Sequence, residues 1–134
     1  MNSASATQQA MRAALLARAP LLTLLGGAHI FDEVPRGANP PFVLFTGIET
    51  RDWSVADQKA HEHFITLEVT TNQRSRSAAQ AVAHEIETVL DNASLVLTEH
   101  KLINLRVVFT SISRNSKTEN FGALIRYRAA TEPL

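Results

Sequence analysis

The strongest constraint on this chain is a pair of alternating segments, Leu102 to Arg114 and Thr118 to Ala129, joined by the polar turn Asn115-Ser116-Lys117. Successive side chains on a strand point to opposite faces, so period-two patterning on both sides of a polar turn predicts a β-hairpin. In the first arm Ile103, Leu105, Val107 and Phe109 fall on one face, and Asn104, Arg106, Thr110 and Arg114 fall mostly on the other. In the second arm Phe121, Ala123, Ile125 and Tyr127 share a face, with Leu124, Arg126 and Arg128 opposite. The ribbon therefore has an apolar side and an arginine-rich side. Two strands alone are barely stable in water, so helices must cover the apolar side and further strands must flank the edges.

The chain has 134 residues, which is the size of one ordinary domain. A single domain over 1–134 is expected, with residues 1–6 as a loose tail. Hydrophobic residues make up 45% and charged residues 19%, a globular rather than disordered balance. Thirteen Lys and Arg offset thirteen Asp and Glu, which argues against a protein that grips nucleic acid by neutralising phosphates over a broad basic surface. It does not argue against one that lets DNA pass. No cysteine is present, so disulfides, thiolate metal sites and cysteine nucleophiles are excluded. No apolar run approaches the roughly 20 residues that span a bilayer, and the expectation is a soluble protein made in the cytosol, without membrane contact.

Along the chain, Ser3, Ser5 and Thr7 are candidate caps for a helix running toward Arg18, with Met11, Ala14 and Leu15 at helical spacing. Pro20 interrupts it, and Leu21, Leu22, Leu24 and Leu25 form a further turn or so before Gly26-Gly27. Ala28 to Val34 reads as a short strand, followed by an irregular loop through Pro40-Pro41. Phe42 to Phe45 is apolar on both faces and reads as a covered strand, which becomes half-exposed beyond Gly47. Asp52 to Lys59 is a polar connection around Trp53. From His61 to Thr71, Ile65, Leu67 and Val69 face one way and Glu62, Thr66, Glu68 and Thr70 the other, so this strand's acidic side suits the arginine-rich side of the hairpin. Ser77 followed by Gln80 is a capping-box pattern opening a helix with Val82, Ile86, Val89 and Leu90 on one stripe and Asn92 at its stop. Ser94 to Lys101 is a connector carrying Leu95 and Leu97 inward. This order predicts an α+β layer: an antiparallel or mixed sheet of about four or five strands with two main helices on one face.

Sites for chemistry are sparse. His61 and His63, two apart on a strand, share a face as metal ligands would, but they continue the apolar series of Ile65 and Leu67, as partly buried histidines do. His84-Glu85 opens like a zinc-protease helix, yet the required second histidine is Thr88. No G-x-S-x-G elbow or phosphate-binding glycine loop occurs. Asp32 and Glu33 are adjacent on a strand and so point apart. The residues thus predict no catalytic site, no metal and no cofactor. Arg106, Arg126 and Arg128 read either as a surface for a protein or nucleic-acid backbone, or as a solvated sheet face paired with Glu62 and Glu68. Trp53 reads either as a partner anchor or as a lid on the core.

The order of elements resembles the small tail-completion proteins of long-tailed bacteriophages, also called tail terminator or head-tail joining proteins, found too in gene transfer agents. Pro20-Leu21 and Leu25, Ile30-Phe31-Asp32 with Val34-Pro35, and Pro41-Phe42-Val43 leading to Gly47 carry it. So do Trp53, the helix Ser77 to Leu90 and the strand Phe121 to Arg128. The resemblance implies a non-enzymatic structural protein of a virion or phage-like particle, assembled in the bacterial cytoplasm and located at the head-tail junction. It implies a ring of self-associated subunits, in that family usually a hexamer, contacting the tail tube protein and the head connector or stopper protein. DNA would pass through the lumen without sequence-specific binding. On that reading subunit contacts fall on the sheet face with Arg106, Arg126 and Arg128, and partner docking on loops around Arg36, Trp53 and Lys117. The alternatives are a small oligomeric α+β enzyme or ligand-binding protein with a site between sheet and helices, and a monomeric adaptor.

Overall fold

A computed structural model describes residues 1–134. The chain runs α1 (Ser3–Leu16), α2 (Ala19–Leu25), β1 (Ile30–Phe31), β2 (Phe42–Asp52), β3 (His61–Thr70), α3 (Arg76–Leu90), β4 (His100–Arg114) and β5 (Phe121–Pro133). The strands form one five-stranded sheet in the order β1-β2-β3-β5-β4, with β1 parallel to β2 and every other pair antiparallel. It is the α+β layer expected, mixed only at the short β1 edge.

The terminal hairpin and β3 form the middle and far side of the sheet, with Ile65 paired to Tyr127, Leu67 to Ile125 and Val69 to Ala123. These apolar residues turn to the helices and are buried there with Met11, Leu15, Leu21, Ile86 and Leu90. Burying a side chain of this size stabilises the fold by about 1.5–3 kcal/mol, so the helical cover is what makes the ribbon stable.

Tyr127 is the largest fully buried side chain, and its hydroxyl has no protein hydrogen-bond partner. Burial, reinforced by Glu87 and Asp91, pushes its ionisation well above the usual phenol range. A buried hydroxyl without a partner costs free energy that a phenyl ring does not. Tyr127→Phe is therefore expected to raise stability by about 1 kcal/mol in urea denaturation.

Several local expectations are corrected. Residues 1–6 are not a loose tail: α1 begins at Ser3, because the Asn2 side chain, not Ser3, Ser5 or Thr7, accepts the Ser5 amide at 2.7 Å. Ser3, Ala6 and Thr7 are buried. The helix α3 starts before Ser77, with Ser75 at its N-cap, and no side-chain cap bond forms. The Ser75 and Ser77 hydroxyls instead lie 2.6 Å apart, so the Ser77–Gln80 box is not made. The strand expected over Ala28 to Val34 contracts to Ile30–Phe31.

Phe109 is also on the face opposite to the one expected. A bulge between Val107 and Phe109 reverses the alternation, so Phe109 pairs with Arg126 and Thr110 with Ile125. Thr110 thereby turns to the helices, where its hydroxyl donates to Glu87, while Phe109 stays on the open face at 46% exposure. The segment 115–120 forms a longer turn than Asn115-Ser116-Lys117, with β5 starting at Phe121.

Candidate interaction surface

The helices cover one face of the sheet, and the other is open. Registers carried from strand to strand place Glu49, Phe64, Arg128 and Arg106 in one row across it, with Gly47, Thr66, Arg126 and Phe109 in the next. Antiparallel partners share a face, so all of these belong to the open side.

The arginines are held by their neighbours. The Arg128 guanidinium donates to Glu62 at 2.6 Å and to Asn104 at 3.3 Å, and lies 5.0 Å from the Trp53 ring centroid. Arg126 sits 4.9 Å over Phe64 and 3.6 Å from Glu49, while Arg51 lies 5.4 Å from the same Phe64 ring. Guanidinium groups stack on aromatic faces through the ring quadrupole. The acidic side of β3 thus meets the arginines at Glu62; Glu68 is paired to Leu124 and makes no ion pair. Arg106 stands apart: it is the register partner of Arg128, but its guanidinium turns to Asp91 at the end of α3, 3.3 Å away. Two like charges opposite each other repel, and each is drawn to its own carboxylate.

The structure therefore gathers Trp53, Arg126 and Arg128, leaves Arg106 on the outer strand β4, and separates the loop residues. Trp53, 43% exposed, follows β2 at the end where Asp52 pairs with His61. There the Ser54 hydroxyl and amide hold the Asp52 carboxyl below its usual range. Lys117 lies in the β4–β5 turn at the other end of the strands, about 30 Å away at the rise of a strand. Arg36 is exposed in the β1–β2 loop, whose Pro40 lines a shallow hollow with Asn115, Thr118 and Asn120 of that turn. The patterning missed Phe64, Arg51 and Glu49, whose roles depend on which strand neighbours which.

His61 and His63 do share the helix-side face, their rings 6.2 Å apart. His63 is fully buried and bonded at both ring nitrogens, to Thr50 Oγ1 at 2.9 Å and Thr131 Oγ1 at 3.0 Å. No group of three or more His, Cys, Asp or Glu is placed to hold a metal ion. The space between sheet and helices, where the alternative reading would put a ligand, is filled by Met11, Leu15, Ile65, Ile86, Ile125 and Tyr127.

An open charged-aromatic face flanked by turn loops is suited to contact, and the chain is a structural protein of the phage-tail type. The model of the family described as "Tail completion protein gp17" matches residues 9–132, and the chain belongs to that family. Among solved structures, a chain of "Virion of native gene transfer agent (GTA) particle" is similar at 25% identity and a TM-score of 0.89, covering 98% of this chain and 99% of that one. Comparison with curated proteins finds no match.

Proposed function

We propose that this chain is the subunit of a ring at the head-tail junction of a virion or phage-like particle. The ring ends the tail tube and joins it to the head connector, with DNA passing through its centre. The observation that carries the reading is the placement of loops at both ends of one rigid sheet. Turns bearing Trp53 at one end and Lys117 at the other suit two different partners, tube and connector. The sheet between them, with Arg106, Arg126 and Arg128, supplies the wall and the contacts between copies. Arg51, Arg106, Arg126 and Arg128 stand against Glu49, Glu62 and Glu68 on the open face. That near-balance suits a surface along which a polyanion slides without being gripped.

Particle assembly with this chain omitted tests the function. The expected result by electron microscopy is heads without tails and tails of irregular length. Tails of normal length joined to heads would remove the chain from the junction.

A further inference from the structure

The β4–β5 turn and the start of α3 meet at one end of the sheet, away from the open face. Arg114 is the register partner of Phe121, and both lie on the helix side, in line with Ala123 and Ile125. Arg76, the first residue of α3, has its guanidinium 5.4 Å from the Phe121 ring centroid. With Arg74, Ile112 and Glu119 they line one open hollow. Its two walls are tied together through the backbone: the Phe121 amide donates to the Gln73 carbonyl at 2.9 Å, and the Thr71 hydroxyl donates to the Phe121 carbonyl. The segment carrying Arg74 and Arg76 is therefore fixed to the strand that carries the ring.

The charge here is one-sided. Arg76 and Arg114 make no ion pair, and neither does Lys117 in the same turn. Arg74 meets Glu119 at 3.5 Å, with the two side chains 75% and 52% exposed. No other acid occurs in residues 71–80 or 111–124. A chain of zero formal charge thus sets four cations against one acid at this end, whereas the far end of the sheet shows Trp53 and Val55, exposed and apolar. Guanidinium groups stay charged and present a planar fork that fits a carboxylate at two points, so the cluster is complementary to an anion from outside.

Two features select protein carboxylates over a phosphate backbone. A grip on nucleic acid is built from many phosphate contacts along a strand. This hollow is compact, and its lining includes the half-buried Ile112 and Phe121, the mixture of arginine and apolar rings that protein contacts favour. It also holds a carboxylate already. The Glu119 pair is exposed, and pairs of that kind exchange readily.

We propose that this hollow docks an acidic segment of a partner protein, whose carboxylates bind Arg76 and Arg114 and displace Glu119 from Arg74. The proposal rests on the reading of the Lys117 turn as a docking end, and it names the chemistry of what docks there.

Fluorescence anisotropy of the full chain with a short labelled peptide of alternating glutamate and leucine tests it. The comparators are the same peptide with glutamine for glutamate, and a short DNA duplex. The glutamate peptide is expected to bind, and both comparators to bind at least about tenfold more weakly. Arg114→Glu is expected to weaken peptide binding at least about tenfold, with Arg76→Gln as a second variant in the same direction. Glu119→Gln is expected to strengthen it about three- to fivefold by removing the competing carboxylate; a merely structural Arg74–Glu119 pair would leave affinity unmoved and overturn the displacement. Urea midpoints identify the folded variants. No peptide binding, or binding untouched in folded Arg114→Glu and Arg76→Gln, would overturn the proposal. A duplex that binds more tightly than the peptide and is lost with Arg114→Glu would overturn it in favour of a phosphate backbone. Particles carrying folded Arg114→Glu with normal, joined tails would overturn the docking role while leaving the chain at the junction, a placement that only its omission tests.

Discussion

Gly122→Ala is expected to destabilise the fold by about 3 kcal/mol, at the upper end of what overpacking costs, and to lower Tm by roughly 10 °C. A Cβ built on Gly122 lies 2.5 Å from the Val69 carbonyl oxygen, backbone of the neighbouring strand. Nothing flexible is there to give way. Val69 pairs with Ala123 and Thr70 with Gly122, so moving that carbonyl disturbs the β3–β5 ladder at the middle of the sheet. Gly47→Ala is the matched control. It also sits in a strand, but nothing lies within 4 Å of its Cβ position, and its stability should be unchanged or raised by about 0.5 kcal/mol. Denaturant midpoints of the two variants check both; equal midpoints would mean that β3 and β5 separate more easily than their register implies.

That contrast marks what patterning reveals. The hairpin and β3 were legible because alternation records which residues share a face, and their apolar sides do meet α1 and α3. Alternation cannot record a bulge, since the inserted residue looks like any other. Val108 is an ordinary strand residue in sequence, yet it reverses the side on which Phe109 lies. Strand order is equally silent. The Glu62–Arg128 pair was foreseeable from an acidic strand beside an arginine-rich one, but Arg126 with Glu49 requires β2 to flank β3 on its far side. Trp53 over Arg128 depends on the path of the turn after β2, and Arg106 parts from the other arginines because Asp91 reaches β4 from the end of α3. The candidate surface is thus a product of adjacency, and composition along the chain holds only its raw materials.

The second large effect concerns acid. Lowering the pH from 7 to 4 is expected to remove about 2–3 kcal/mol of stability through His63 alone, the worth of its shift at 1.36 kcal/mol per unit. Burial pushes the His63 imidazole down from 6.5 to about 4, with the charges of His61 and His100 acting in the same direction. Between those values the unfolded chain takes up a proton that the folded chain refuses, so stability rises with pH across the window. The contribution is complete above about 6.5 and is lost as pH falls through the window toward 4. The neutral ring ties three strands together, through Thr50 on β2, its own β3, and Thr131 on β5, at the end of the sheet that carries Trp53. His63→Gln retains polar groups for both threonines but cannot titrate there. Urea denaturation at pH 7, 5.5 and 4 should show a steep decline in the natural chain and a shallower one in the variant. Parallel profiles would show that the buried His63 ring, held between Thr50 and Thr131, does not set the acid sensitivity.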